Sequence, residues 1–254
     1  MVKCILGCEF VQSKETNMME KINQNTTYDQ IKKNTVKADN QLKGETSVTF
    51  ENWDGKGIRV LFVGNSITRH GVAHEIGWHN DWGMAASSKD KDYVHRIISR
   101  IEDIRKDGAY CICQVASWER GYMQGIEKFH EEYQDARDFQ ADIIILRMIE
   151  NCSFDDWNSE IFKAELKKLI AYFDPMQKSK VIITTGFWKH CGDAAVCEFA
   201  ERNNIPLVKL DDLGERTEMK AVGLFEHEGV ANHPGDLGMK CIADRIFETL
   251  KNYL

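Results

Sequence analysis

The sequence predicts an α/β protein with a doubly wound sheet of about five parallel strands and helices on both faces, a three-layer α/β/α arrangement. Two observations support this fold class. Apolar runs without alternation, such as residues 58–63 and 141–148, are typical of strands buried on both faces. These runs alternate along the chain with amphipathic helical patterns, which favours parallel strands joined by right-handed crossovers.

The predicted elements follow one another without a gap large enough for a second domain. Strands are predicted at residues 58–63, 109–116, 141–148, 180–186 and 205–210, and helices at 91–105, 123–136, 155–173, 194–202 and 237–250. The first helix carries an apolar stripe formed by Val94, Ile97, Ile98, Ile101 and Ile104. Parallel strands bind ligands beyond their carboxyl ends, so the loops after the strands are where chemistry is expected.

Composition narrows the classes of function. The 254 residues are 43% apolar and carry a net charge of -7, which argues against nucleic acid or an anionic membrane as the main partner. No apolar run approaches the length of about 20 residues that a membrane span needs. We therefore expect a soluble protein whose main partner is neither nucleic acid nor a membrane. The sequence carries no signal for an oligomeric state.

The first 55 residues differ from the rest of the chain. They are rich in Asn, Lys, Thr and Gln and have few large apolar side chains, so we expect a polar arm followed by one catalytic domain over residues 56–254. Within the arm, residues 46–50 (TSVTF) have strand-like alternation and could pair with an edge of the sheet. The opening MVKCILGC imitates a lipoprotein cleavage box, but its apolar segment is too short for a signal peptide.

The cysteines favour a cytoplasmic location. Eight are scattered through the sequence without a C-x-x-C pair, and several fall inside predicted strands or helices. Buried free thiols in a reducing compartment explain this pattern better than disulfides or zinc ligands.

The first strand ends abruptly at Gly64-Asn65-Ser66. Glycine tolerates a tight turn, so the Ser66 hydroxyl is expected at the carboxyl edge of the strand, where a nucleophile would lie. Taken alone, Asn65-Ser66 is better explained as a cap of the next helix. The segment from His70 to Ser88 has no regular periodicity, and long connections of this kind are usually functional, so we expect it to cover the site.

Two further residues turn Ser66 into a candidate nucleophile. A serine hydroxyl needs a base within hydrogen-bond reach, and His233 lies in a polar, turn-rich loop just before the last helix. Acyl transfer also needs donors for the developing oxyanion, and Asn151 follows the strand at 141–148. Each has a simpler interpretation, as a loop histidine and a strand-end cap, and it is their combination with Ser66 that indicates a site.

Gly64-Asn65-Ser66-Ile67-Thr68 resembles the first sequence block of the SGNH (GDSL-type) hydrolases, Asn151 falls where the asparagine of that family's third block lies, and His233-Pro234 is similar to its last block. The resemblance covers about residues 58–250. It implies a flavodoxin-like sheet and cofactor-free, serine-dependent hydrolysis of esters. The partner it implies is a small-molecule or glycan ester, with O-acetylated carbohydrates as the commonest substrates. It also implies an oxyanion hole formed by the amides of Ser66, Asn151 and a loop glycine, for which Gly83 is our choice over Gly71 and Gly77.

The sequence departs from the family pattern at the acid of the triad. The usual D-x-x-H would place an acid at position 230, where this chain has Val230. Glu228 is the nearest upstream carboxylate, five residues before His233. A triad with Glu228 and a Ser-His dyad oriented by a backbone carbonyl are both open, because losing the acid lowers the rate without removing base or oxyanion site.

The remaining candidates lie around the predicted site. Trp82 and Trp188 could stack on a sugar ring, although loop tryptophans also fill cores. The irregular spacing of the histidines at 70, 74 and 79 disfavours a metal site, and no metal is expected. The rival to an esterase is a protein that keeps this fold for carbohydrate binding or assembly and has lost catalysis with the acid. A phosphate-binding loop is disfavoured because GNSIT lacks the required glycines and lysine.

Overall fold

A computed structural model describes residues 47–254, so the predictions for residues 1–46, including Cys4 and Cys8, lie outside the described part. The described chain forms one six-stranded sheet. Its strands are β1 (Val48–Glu51), β2 (Arg59–Gly64), β3 (Ala109–Gln114), β4 (Ile143–Arg147), β5 (Lys180–Thr184) and β6 (Leu207–Val208). The order in the sheet is β1-β3-β2-β4-β5-β6.

The predicted doubly wound sheet is confirmed. Strands β2 to β6 are parallel, and β2 lies at the centre between β3 and β4. Strand β1 adds an antiparallel edge, with Val48 opposite Cys113 and Glu51 opposite Tyr110, as the alternation in TSVTF indicated. The strand order reverses on either side of β2, and this is the position where open α/β sheets form a ligand crevice.

Helices cover both faces of the sheet. They are α1 (Tyr93–Ile104), α2 (Ala116–Gly121), α3 (His130–Asp138), α4 (Ser159–Phe173), α5 (Asp193–Arg202), α6 (Glu228–Ala231) and α7 (Asp236–Leu250). Helices α1 and α7 pack on one face, where Phe62, Ile97 and Ile246 belong to one buried cluster. Helices α2 to α5 pack on the other, where Leu61, Trp118 and Phe162 belong to the second. The continuous apolar strands are explained by burial on both faces.

Two details of the predicted helices differ from the structure. The helix predicted at 123–136 is two short 3-10 turns, Tyr122–Gln124 and Ile126–Phe129, followed by α3. Gly125 separates the turns with a φ of 82°, which a continuous helix does not contain. Ile104 is 58% exposed because it is the last residue of α1 and the chain leaves the helix at Arg105 in an extended conformation.

The segment from His70 to Ser88 has a small core of its own. Trp78 is fully buried and donates from Nε1 to the carbonyl oxygen of His70. A third buried cluster joins this segment to the stretch before the last helix, and its members are Ala73, Ile76, Trp78, Met84, Ala85, Ala221 and Val230. The segment therefore has a fixed shape and is packed against the chain that carries His233.

The described cysteines are free thiols. Those at 111, 113, 152 and 241 are buried, whereas Cys191 is exposed. Burial raises the pKa of the Cys111 and Cys113 thiols. None of the helices in residues 47–254 combines the length and apolar character needed to cross a bilayer.

Asp92 connects the segment from His70 to Ser88, called the covering segment below, to α1. Its side chain is fully buried, caps the helix by accepting from the His95 amide at 2.8 Å, and accepts from the Gly83 amide at 3.1 Å. We predict that Asp92→Ala lowers the free energy of unfolding by about 2 to 3 kcal/mol, because it removes a cap and leaves a buried donor unpaired. Urea unfolding would measure the loss. Asp103→Ala, at an exposed position of the same helix, is the control, and an equal effect of both variants would contradict the prediction.

Candidate active site

Ser66 lies immediately beyond the carboxyl end of β2, in a turn built by its neighbours. The Asn65 carbonyl oxygen accepts from the Thr68 and Arg69 amides at 2.8 and 3.0 Å, which bends the chain sharply after the strand. Gly64 is required by space, because a Cβ there would lie 1.9 Å from the Thr68 hydroxyl and 2.5 Å from the Arg147 carbonyl oxygen. The turn holds Ser66 at the central strand of the sheet.

The structure brings Ser66 and His233 together. The distance from Ser66 Oγ to His233 Nε2 is 2.7 Å. His233 follows α6, and its loop is held by two backbone hydrogen bonds: the Ala221 amide donates to the His233 carbonyl oxygen at 2.9 Å and the Gly235 amide to that of Met219 at 3.0 Å. Residues separated by 167 positions thus form the hydrogen bond that serine activation requires.

The second ring nitrogen of His233 is bound to the backbone. Nδ1 lies 2.6 Å from the Gly229 carbonyl oxygen, which only accepts, so Nδ1 carries the proton and Nε2 is free to accept from the Ser66 hydroxyl. Glu228, one residue earlier, is exposed at the start of α6 and is not the partner of Nδ1. The sequence left two partners for His233 Nδ1 open, a backbone carbonyl and the Glu228 carboxylate. In the structure the partner is the carbonyl oxygen of Gly229.

The environment of His233 favours its neutral form. Burial lowers the pKa of the imidazole to about 4, with smaller contributions in the same direction from His70 and the Arg147 guanidinium, while the hydrogen bond to Gly229 acts in the opposite direction. At neutral pH the ring is therefore unprotonated and can act as a base.

The Asn65 side chain is the centre of a buried polar network. Its Nδ2 donates to Glu119 Oε1 at 3.1 Å and to Glu150 Oε2 at 2.6 Å, and its Oδ1 accepts from Arg147 Nη2 at 2.7 Å. Arg147 Nη2 also lies 2.7 Å from Glu150 Oε2. Both lie on the chain at or just after β4, so the network joins the ends of β2 and β4 directly behind Ser66.

Glu119 extends this network to Asn151. The Glu119 carboxylate, fully buried on α2, accepts from the Ile149 amide through Oε1 and from Asn151 Nδ2 at 2.7 Å through Oε2. Ile149 has a φ of 122°, a conformation that a β-branched residue rarely adopts. The hydrogen bond to Glu119 and the complete burial of the Ile149 side chain hold this strained turn, which sets the position of Asn151.

The two buried carboxylates have different environments. Burial raises the pKa of Glu119, and the nearby Glu150 charge raises it further. Burial acts on Glu150 in the same direction, but the Arg147 guanidinium and the Phe187 amide, which donates to Oε1 at 2.7 Å, hold the pKa of Glu150 below its ordinary value. Glu150 is therefore the ionised partner of Arg147.

A cavity of about 100 Å³ opens beside the Ser66–His233 pair. Its lining residues come from the covering segment, the end of β3, helices α2 and α6, the loops after β2, β4 and β5, and the His233 loop. They are Ser66, His70, Met84, Gln114, Ala116, Arg120, Glu150, Asn151, Trp188, Gly229, Val230 and His233. Pockets for drug-sized ligands have volumes of roughly 300–1,000 Å³, so this cavity suits a small group.

The donors at this cavity differ in part from those predicted. The Gly83 amide is engaged by Asp92 and Gly83 does not line the cavity, so its predicted oxyanion role does not agree with the geometry. Within residues 47–254 the Ser66 amide donates no hydrogen bond, and Asn151 Nδ2 has a second hydrogen beyond the one donated to Glu119. Gln114 accepts from the Ala116 amide at 3.0 Å through Oε1, which leaves its Nε2 as a further donor.

The two predicted tryptophans lie in different places. Trp188 lines the cavity and packs edge-on to the His233 ring, with centroids 5.2 Å apart and planes at 86°. Trp82 lines a separate cavity of about 210 Å³ next to Arg69 and Lys89, and its Nε1 donates to the Ala86 carbonyl oxygen. The prediction that Trp82 contacts the substrate at Ser66 therefore does not fit, since its ring faces another part of the surface.

The histidines of the covering segment have separate roles. His70 is buried, lines the cavity and donates from Nδ1 to the Gly71 carbonyl oxygen. His74 and His79 are exposed and contact each other at 2.7 Å through their Nδ1 atoms. Among the described residues there is no group of three or more His, Cys, Asp or Glu side chains arranged to hold a metal ion.

Sequence reasoning missed Glu119, Gln114 and Arg147. Arg147 was the easiest of the three to predict from the sequence. A charged residue inside the otherwise apolar run IIILRM has to be paired when the strand is buried. Glu119 had no comparable signal, since it lies on a short helix of six residues that the pattern did not predict.

Comparisons with known proteins show which solved structures have a fold similar to that of this chain. No protein-family model matches the chain, and no curated protein matches it either. Among solved structures, a two-domain esterase active on acetylated mannans, crystallised with mannopentaose, is 13% identical with a TM-score of 0.52, over 77% of this chain and 50% of that one. The chain therefore spans about half the length of that esterase.

Two further solved structures are similar to a comparable degree. The lipase/acylhydrolase from Enterococcus faecalis is 15% identical with a TM-score of 0.52, over 78% of this chain and 97% of that one. A family two carbohydrate esterase from Clostridium thermocellum, in complex with cellohexaose, is 12% identical with a TM-score of 0.51, over 77% and 64%. The described chain thus has the three-layer α/β fold shared by these esterases and acylhydrolases.

Proposed function

We propose that this protein is a serine esterase that hydrolyses a small acyl ester, an acetyl ester above all, on a carbohydrate or a related alcohol. The observation that carries the proposal is the 2.7 Å contact between Ser66 Oγ and an Nδ1-protonated His233, at the edge of a cavity that contains the Asn151 amide. Nucleophile, base and oxyanion donor are the three parts that acyl transfer needs.

The reaction follows from these positions. Ser66 Oγ attacks the ester carbonyl carbon as its proton passes to His233 Nε2, and the resulting oxyanion accepts from the Ser66 amide and Asn151 Nδ2. His233 returns the proton to the alcohol as the bond between that oxygen and the acyl carbon breaks. Water then attacks the acyl-enzyme with His233 as base, and the carboxylic acid leaves as Ser66 recovers its proton.

The size of the cavity and the structural likenesses support the choice of substrate. A volume of about 100 Å³ suits a short acyl group better than a fatty acyl chain. Two of the similar structures are carbohydrate esterases, one of them active on acetylated mannans. The half-buried Trp188 lines the cavity beside His233, so an aromatic ring against which a sugar could pack lies next to the Ser66–His233 pair.

A second candidate is a protein of this fold that binds or assembles carbohydrate without catalysis. It is favoured by the exposed position of Glu228, which leaves His233 without a carboxylate partner. The hydrogen bond from Nδ1 to Gly229 weighs against it, because a carbonyl fixes the same tautomer and ring orientation that an acid would fix.

Ser66→Ala separates these two candidates. We predict that the variant loses hydrolysis of 4-nitrophenyl acetate by about 10³-fold or more, since the covalent step is removed. Thermal unfolding and circular dichroism should remain those of the wild type, because Ser66 is at the surface of the cavity and not in a core. Ser117→Ala is a matched control on α2. The wild type should also be labelled by a fluorophosphonate, whereas undiminished turnover in Ser66→Ala would refute the proposal.

The pH dependence follows from His233. Below its pKa the imidazole is protonated and cannot accept from Ser66, so kcat/KM falls as the pH decreases through that value. Because burial lowers this pKa to about 4, we predict an acid limb with a midpoint near pH 4, so that activity is nearly constant from pH 6 to 7. Initial rates with a neutral ester, with circular dichroism at each pH to confirm folding, would test this. A midpoint near 6.5 would contradict it.

Glu119 acts on the reaction through Asn151, as a positioning residue. Glu119→Gln keeps the size and shape of the side chain but replaces one carboxylate oxygen with an NH2 group. That donor then faces one of the groups that donate to Glu119 in the wild type, so the Asn151 side chain shifts. We predict that kcat falls by roughly tenfold to a hundredfold with KM little changed, because the oxyanion contact is stronger in the transition state than in the bound substrate. Glu131→Gln, exposed on α3, is the control. A rise in KM at constant kcat would exclude this role.

A further inference from the structure

Arg120 is distinguished from the other arginines between residues 47 and 254. Each of the others has a recorded ion pair, hydrogen bond or aromatic contact, as Arg69 has with Asp81, Arg202 with Glu198 and Arg137 with Tyr172. Arg120 has none of these within the described chain. Its side chain is exposed, yet it lines the cavity that contains Ser66 and His233. A guanidinium without a protein partner at such a position is available to a ligand.

The charges around Arg120 leave its own charge uncompensated at the cavity. Glu150, the one carboxylate that lines the cavity, is paired with Arg147 at 2.7 Å. The Glu119 oxygens accept from the Asn65 side chain, the Ile149 amide and the Asn151 side chain, and they form no ion pair with Arg120. Burial holds the pKa of both cavity histidines, His70 and His233, below the ordinary value, so they add no positive charge at neutral pH.

Arg120 is also held on a fixed element. Helix α2 begins two residues after β3 ends, and its position is set by Glu119, whose carboxylate is hydrogen-bonded to the turn after β4. The Trp118 amide donates to the Tyr133 hydroxyl at 3.2 Å and anchors the same helix on α3. The base of the Arg120 side chain is therefore rigid, and only the guanidinium end is free to meet a ligand.

We propose that the preferred substrate carries an anionic oxygen group on the same molecule as the scissile ester, and that Arg120 binds this group. The inference rests on the proposed esterase function and names its substrate class: acylated acids, such as an O-acetylated acidic sugar, in preference to neutral esters. A guanidinium presents a planar fork of donors that matches a carboxylate with two parallel hydrogen bonds. A sulfonate or phosphate offers the same charge with tetrahedral geometry.

The experiment compares matched esters. Initial rates are measured with 3- and 4-acetoxybenzoate, with 4-acetoxybenzenesulfonate, and with 4-acetoxybenzamide as the neutral reference. The readout is the ratio of kcat/KM for the anionic ester to that for the neutral ester, in the wild type and in Arg120→Met, so that intrinsic reactivity cancels between the two proteins. We expect Arg120→Met to lower the ratio by roughly tenfold, as the loss of a partly exposed charge-assisted hydrogen bond predicts. Arg120→Lys should restore part of it.

Two controls isolate the site. Arg202→Met makes the same change in net charge at a position where the side chain is 67% exposed on α5, and it should leave the ratio unchanged. Added salt should lower the ratio in the wild type and much less in Arg120→Met, because an exposed ion pair is screened. A larger effect for the benzoates than for the sulfonate assigns the group to carboxylates, and the reverse assigns it to tetrahedral anions.

Binding separates failure of this inference from failure of the esterase proposal. Calorimetric titration with benzoate and benzamide needs no turnover. Tighter binding of benzoate that is lost selectively in Arg120→Met supports the anion site even if no ester is hydrolysed. Equal ratios in the wild type and Arg120→Met, or an equal loss for anionic and neutral ligands, would overturn the inference.

Discussion

The site depends on the hydrogen bonds of one buried side chain, the carboxamide of Asn65. It accepts from Arg147 Nη2 and donates to Glu119 and Glu150, so a neutral group located one residue before Ser66 joins a guanidinium and two carboxyl groups. Leaving any one of these groups unpaired in the interior would be costly, because a buried charge or donor loses its hydration without replacement. The network therefore fixes the ends of β2 and β4, and with them Ser66 and the turn to Asn151.

In the esterase that we propose, the hydrogen bond from His233 Nδ1 to the Gly229 carbonyl takes the place of the carboxylate of a triad. A carbonyl fixes the tautomer and orientation of the imidazole, but it carries no full charge to stabilise the protonated ring. Burial then dominates, which is why the pKa of His233 falls to about 4. The consequence is a base that remains unprotonated well below neutral pH and is weaker than the base of a full triad. Val230 stands where an acid would lie, and it instead packs in the small core of the covering segment.

The features that the sequence predicted correctly are those specified by residues close together in the chain. The strands at 58–63 and 141–148 and the helices α1, α4, α5 and α7 followed from periodicity, because each buries a face that its own residues specify. Ser66 and His233 were located by residue type at the ends of elements, and the tertiary structure brings them within 2.7 Å. Gly83 and Trp82 were chosen from a segment without periodicity, and contacts with distant residues decided their positions. Asp92, the cap of α1, accepts from the Gly83 amide, and Trp82 lines a different cavity.

The sequence by itself determined the fold class, the strand-like character of residues 46–50 and the three residues at the strand ends and last loop from which a hydrolase is inferred. Only the tertiary structure decided that a backbone carbonyl orients His233, that Glu119 and Arg147 support the site, and that Arg120 faces the cavity without a partner. The physical reason is that periodicity reports which face of an element is buried, whereas hydrogen bonds between buried groups join residues far apart in the chain, as Asn65 joins Glu119 and Arg147.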